Sequence, residues 1–346
     1  MLPEFHLKFK TLLATLSSVL VLVTPTAGFA DEINIYSARN EALIKPILDK
    51  FTEKTDIKVN LVTGKADALI SRMQSEGQFS PVDVLVTTDA GRLARAKSMG
   101  LTQIIPNEVS LSSVNATLVD PDRHWTALTK RARPIMYAKD RVDPATLSTM
   151  EALTDAQWKG RICIRSSSNI YNQSMTAALI EQLGEQATEQ WAKGLVANFA
   201  RPPAGGDRDQ IRAVAAGQCD IAVANTYYLA GMRESQDKAT RDVANSVAVF
   251  WPNQDDRGVH INISGIAIAK HAKNLAQAEA LISFMLSEEA QQWYAQTNGE
   301  YPVVDAVAWS DTLKAMGTFK HESIPLQTVG EKNADALKLM DRAGWK

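Results

Sequence analysis

The sequence predicts an α/β fold arranged as two lobes, and three observations carry that expectation. Short β-rich runs alternate with amphipathic helical stretches along nearly the whole chain, the pattern of sheets covered by helices. The chain has 346 residues, more than one core comfortably fills. No repeat, low-complexity tract or long linker divides it, so the two lobes are expected to be joined by crossover strands.

The elements follow in order. Lys8 and Lys10 precede the apolar run Leu12–Val23, which is shorter than the roughly 20 residues a membrane-crossing helix needs. Pro25 and the small-residue segment Ala27-Gly28-Phe29-Ala30 come next, so residues 1–30 read as a secretory signal cleaved after Ala30. An uncleaved membrane anchor is the competing reading. Strands are expected at Ile33–Tyr36, Ile57–Val62, Val82–Thr87, Pro134–Tyr137, Arg161–Ile164, Asp220–Ala224, Val247–Trp251 and Gly265–Ala269. Helices are expected at Glu41–Lys54, Ala66–Gln74, Ala90–Met99, Gln173–Leu183, Gln186–Asn198, Arg208–Ala216 and Leu275–Leu286. This alternation argues for largely parallel sheets. Thr129–Lys139 and Gly258–Gly265 are the expected crossings. They divide the chain into an N-terminal lobe, residues 31–130 with 258–305 returning to it, and a C-terminal lobe, residues 131–257 with 306–346 packing on it.

Composition narrows the function. The formal charge is −2, with 45% hydrophobic and 22% charged residues, so no basic surplus exists to attract nucleic acid. Cys163 and Cys219 are the two cysteines. In an oxidising compartment two lone cysteines are more often paired than free, and two buried thiols are the alternative. The sequence has no Gly-rich phosphate loop, no Gly-x-Ser-x-Gly elbow and no His-Glu-x-x-His. His124, His260, His271 and His321 are scattered without metal-ligand spacing. The run Ser166-Ser167-Ser168 lacks a base placed by sequence, and reads as a loop of hydroxyl and amide donors.

Seven tyrosines occur, and three of them follow expected strands. Tyr171 lies beyond Arg161–Ile164, in the loop Ser166-Ser167-Ser168-Asn169-Ile170-Tyr171-Asn172. Tyr227 and Tyr228 lie beyond Asp220–Ala224, where Asn225-Thr226 leads toward a further helix. Open α/β sheets bind ligands outside the carboxyl ends of their strands. Tyr36, Tyr137, Tyr294 and Tyr301 are expected to be structural. A phenol titrates near 10, so ionising it near pH 7 costs about 4 kcal/mol. A hard trivalent cation supplies that, because ligation deprotonates its ligands. Oxygen donors suit such an ion, whereas zinc or copper would draw sulfur and imidazole. Taken alone, a Tyr–Tyr pair at a strand end is more often packing than ligation. Near the start, Ile35–Asn40 forms another strand-to-helix turn with Asn40 as N-cap. There Arg39 could fork onto a small oxyanion, and Arg133 could supply a second guanidinium. Ordinary surface charge is the alternative for both.

The residues then become recognisable. Cys163-Ile-Arg-Ser-Ser-Ser-Asn-Ile-Tyr171-Asn-Gln-Ser and Cys219-Asp-Ile-Ala-Val-Ala-Asn-Thr-Tyr227-Tyr228 resemble periplasmic ferric-ion-binding proteins, the substrate-binding components of iron(III) ABC importers. Ile35-Tyr-Ser-Ala-Arg39, Val82-Asp-Val-Leu-Val-Thr-Thr-Asp-Ala-Gly91 and His260-Ile-Asn-Ile-Ser-Gly265 match as well. The resemblance covers essentially the whole chain after residue 30. It implies a class II periplasmic-binding-protein fold, two α/β lobes closing on Fe3+ carried as cargo. It implies Tyr171, Tyr227 and Tyr228 as phenolate ligands, and a disulfide between Cys163 and Cys219 beneath the tyrosine loops.

Many relatives carry a histidine where this chain has Asn40, and some a tyrosine where it has Glu41. The departure implies a three-tyrosine site completed by carbonate or another synergistic anion on Arg39 and Arg133. Asn40 and Glu41 remain N-lobe contributors to be tested. A periplasmic monomer without catalytic activity is expected, delivering iron to an inner-membrane permease and its ATPase. The rivals are a same-fold binding protein for a small organic or inorganic anion or a polyamine, and an exported hydrolase using Ser166–Ser168.

Overall fold

From Asp31 onward the chain builds two sheets; the computed structural model describes Met1 and residues 31–346, so the expected secretory signal lies outside the described residues. The strands of the first sheet are β1 (Glu32–Ser37), β2 (Lys58–Thr63), β3 (Val84–Thr88), β4 (Thr102–Gln103), β5 (Thr126–Ala132), β10 (Ile261–Ala269) and β11 (Tyr301–Pro302). Their order is β11-β5-β10-β3-β1-β2, with β4 beside β10. The second sheet holds β6 (Ile135–Ala138), β7 (Ile162–Cys163), β8 (Ile221–Val223) and β9 (Val247–Phe250), ordered β7-β8-β6-β9.

Helices cover the sheets because their apolar residues recur at helical spacing. In Glu41–Thr55, Ile44, Ile47, Leu48 and Phe51 form one buried stripe. Each such side chain contributes about 1.5–3 kcal/mol by leaving water. Asn40 starts this helix by accepting the backbone N–H of Ala42 at 3.0 Å, and the left-handed Asp56 (φ 59°) ends it.

The chain leaves the first sheet between β5 and β6 and returns between β9 and β10. The two crossings run side by side, with the Arg133 N–H donating to the His260 carbonyl at 3.0 Å. The sheets are mixed, which departs from the largely parallel pairing expected. Parallel pairing joins β1 to β2 and β3, and β7 to β8. The returning strand β10 runs antiparallel to β3, β4 and β5, and β6 runs antiparallel to β8 and β9. A strand buried on both faces has the same apolar pattern in either direction. All nine residues of β10 are buried, so its direction cannot be read from its pattern.

Helix Leu326–Glu331 packs against both Ala90–Ser98 and Ile170–Leu183, and Asn333–Arg342 lies on Ile170–Leu183. Gly330 permits the first contact: a Cβ there would stand 2.4 Å from the Ala94 Cβ and 3.3 Å from the Gly91 Cα.

Candidate functional site

The three tyrosines lie on first turns of helices, not in loops as expected. Asn169 caps helix Ile170–Leu183 by accepting the Tyr171 N–H at 3.2 Å, which places Tyr171 at its second residue. Asn225 precedes helix Thr226–Arg233, whose second and third residues are Tyr227 and Tyr228. Both helices follow strands of the second sheet, β7 and β8, which pair in parallel. A disulfide joins Cys163 at the end of β7 to Cys219 just before β8, with Cα atoms 5.9 Å apart.

The tyrosines converge. The Tyr227 hydroxyl donates to the Tyr171 hydroxyl at 3.3 Å, and the Tyr227 and Tyr228 rings lie 4.2 Å apart between centroids. All three are half-buried. Burial, then the neighbouring Tyr171 and Tyr228, pushes the Tyr227 phenol well above its usual value. Burial and Tyr171 push Tyr228 up to about 12. Both phenols are therefore neutral near pH 7, and a ligand that needs phenolates must expel their protons. Among the described residues, no group of three or more His, Cys, Asp or Glu side chains could hold a metal.

Two Arg–carboxylate–Arg groups flank it. In the first, Glu300 bridges Arg39 and Arg131, at 3.0 Å from each guanidinium. The Ser264 hydroxyl bonds both arginines, and Thr129 Oγ1 donates to Glu300 Oε2 at 2.9 Å. Burial alone would raise the Glu300 carboxyl, but Arg39 and Arg131 hold it below the usual range. The Arg131 guanidinium stands 5.0 Å from the Tyr227 ring centroid. Burial would lower the pKa of Arg131, yet Glu300 and the three phenols raise it.

In the second group, Asp207 binds Arg133 at 2.9 Å and Arg165 at 2.7 Å. Arg133 also donates to Asn225 Oδ1 at 3.0 Å and to Asn172 Oδ1 at 2.5 Å. It therefore braces the residues beside both tyrosine turns. Asn172 in turn donates to the carbonyls of Arg165 and Ser166, at 2.8 and 3.1 Å. Among the described residues, the Nε atoms of Arg39, Arg131, Arg133 and Arg165 and the Asn225 Nδ2 are buried without a protein partner. A bound oxyanion or water would satisfy such donors.

The structure thus brings Tyr171, Tyr227 and Tyr228 together and buries Arg39 and Arg133 in ion pairs rather than at the surface. Asn40 spends its side-chain oxygen on the helix cap, and Glu41 is exposed in the first turn. Arg131, Glu300, Arg165 and Asp207 were not singled out as site residues in the sequence. For Arg131 a signal existed: Arg131 and Arg133 are two apart in an extended run, the spacing of one strand face. Nothing local marked Glu300 or Asp207.

The chain matches the family described as bacterial extracellular solute-binding protein over residues 47–321, and it belongs to that family. It is 47% identical over 324 residues to iron uptake protein A1 of Synechocystis sp., covering 94% of this chain and 90% of that protein. Among solved structures it resembles Trichodesmium IdiA (FutA) in complex with iron and citrate ligands, with TM-score 0.88 and 49% identity. That match covers 91% of this chain and all of the other. The ferric binding protein from Campylobacter jejuni matches with TM-score 0.86 and 41% identity, over 91% of this chain and 100% of that one.

Proposed function

We propose that this chain is an exported solute-binding protein that captures Fe3+ through Tyr171, Tyr227 and Tyr228, with an anion completing the coordination, and delivers it to an ABC importer. The observation that carries the reading is the convergence of three phenols at two adjacent strand ends, with the Tyr171 and Tyr227 hydroxyls 3.3 Å apart. The iron-protein relatives support it. The phenols bind the ion as phenolates, their protons leaving to solvent, and three phenolates offset its charge.

A small oxyanion, carbonate or one like it, occupies the remaining positions against Arg39 and Arg131. Arg133 acts beside them, holding the tyrosine turns. Residues 31–130 with 258–305 form one lobe, and 131–257 with 306–346 the other. Metal and anion together join donors of both, and that differential affinity drives closure. The protein performs capture without catalysis, as a monomer in the periplasm, and the closed form docks on a membrane permease powered by an ATPase.

Titration of the purified protein with ferric nitrilotriacetate tests this. A visible phenolate-to-iron charge-transfer band should saturate at one iron per chain. Absence of both the band and calorimetric iron binding would sink the reading.

A further inference from the structure

The cleft arginines do not meet a ligand as two free cations. Arg39, Arg131 and Glu300 are 6%, 2% and 3% exposed, and Glu300 is held by three residues. Its Oε1 accepts from Arg39 Nη1 at 3.2 Å and Arg131 Nη2 at 3.0 Å. Its Oε2 accepts from Thr129 at 2.9 Å and lies 3.0 Å from Arg39 Nη1. A carboxylate so buried, and held by three residues, is costly to move. The Nε of each arginine is, among the described residues, left buried without a partner. Among the described residues, Arg39 Nη2 and Arg131 Nη1 make no hydrogen bond either, so donors remain for an incoming anion.

We infer that Glu300 is the charge-selecting residue of the anion site: a built-in counter-anion that cancels one of the two guanidinium charges and so sets how much negative charge the bound anion carries. The inference rests on the ferric reading above. Iron with three phenolates is neutral, so the anion's charge must be balanced by the surrounding cations. Arg39, Arg131 and Glu300 together present one positive charge and the Arg133–Asp207–Arg165 group another, which together balance a small dianion such as carbonate. Without the carboxylate one more positive charge would face the anion and favour more highly charged polycarboxylates. The Arg133–Asp207–Arg165 group is untouched by a change at Glu300, so wild type and Glu300→Gln differ by one charge at one place.

The test compares anions at low ionic strength, where screening is weak. Anion-stripped protein is given ferric nitrilotriacetate, and the half-saturating concentrations of bicarbonate, phosphate and citrate are read from the charge-transfer band. In Glu300→Gln the citrate value should fall relative to the bicarbonate value by roughly tenfold or more, as one extra unscreened charge a few ångströms away requires. Glu300→Asp, which keeps the charge, should retain the wild-type order.

A band in both proteins with an unchanged citrate-to-bicarbonate ratio overturns the inference and leaves the ferric reading standing. A wild type with no band sinks both. Should Glu300→Gln not fold, Arg39→Gln carries the opposite charge change. It should weaken all three anions and citrate most, whereas equal weakening of all three overturns the inference.

Discussion

At the scale of single residues, the chemistry to be tested is that of buried phenols. The Tyr227 and Tyr228 phenols titrate above their usual value, so both hold their protons near pH 7. Ligation must release those protons, and iron affinity therefore rises with pH, about tenfold per pH unit for each phenolate formed. An unbuffered titration should record about three protons released per iron; a release near zero would exclude phenolate ligation. Replacing any one tyrosine by phenylalanine removes an oxygen donor and keeps the packing. Tyr227→Phe also removes the hydrogen bond to Tyr171. Each change should weaken iron binding by on the order of 100-fold or more and dim or shift the band, while thermal stability of the iron-free protein changes by less than about 1 kcal/mol.

At the scale of elements, the tyrosine turns are positioned from outside themselves. The disulfide closes a stretch separated by 56 residues between the two strands that present them. Cys163→Ser with Cys219→Ser should cost about 2–4 kcal/mol, read as a lower thermal midpoint, and should weaken iron binding through looser turns. An unchanged midpoint would make the bond incidental. Gly330→Ala tests the other support. Its new methyl would meet Ala94 and Gly91 across a helix–helix contact, so a loss of about 1–3 kcal/mol is expected in chemical denaturation.

The same scale shows what the sequence made legible. Helix Glu41–Thr55 and strands β1, β2 and β3 stand within a few residues of expectation, because their apolar residues keep a clean period. Strand β5 was anticipated only in its second half, as part of the crossing Thr129–Lys139. Lys130 and Arg131 interrupt its apolar run, and the partner that makes Arg131 tolerable there is Glu300, far along the chain. Asp207 escaped for the same reason, since its partners Arg133 and Arg165 come together only in the fold. The cysteine and tyrosine motifs were legible because they form contiguous runs that resemble a known family; charge compensated across the fold leaves no such run.

At the scale of the whole molecule, the question is which parts stay fixed when the cleft takes its cargo. Asp89, buried and at φ 83°, sits where three elements meet. Its carboxylate accepts from the Gly91 N–H at 2.9 Å, from Asn262 Nδ2 at 2.8 Å and from the Ser174 hydroxyl at 2.8 Å. That ties helix Ala90–Ser98, the return strand β10 and the tyrosine-bearing helix Ile170–Leu183 to one point. The phenols follow strands of the second sheet and the Arg39–Glu300–Arg131 group belongs to the first, with the Arg131 guanidinium 5.0 Å from the Tyr227 ring, so metal and anion bound together would tie the two sheets across this gap. Iron with its anion should therefore compact the protein, measured as a smaller radius of gyration by small-angle X-ray scattering. Iron without an anion should compact it less, because the donors of the first sheet are then not engaged. The loaded protein should also gain about 2.7 kcal/mol of stability when free iron stands a hundredfold above its dissociation constant. Tyr227→Phe should lose both effects together. A radius that stays constant while the band saturates would mean that the ion is held by one lobe alone, and closure would then have no part in capture.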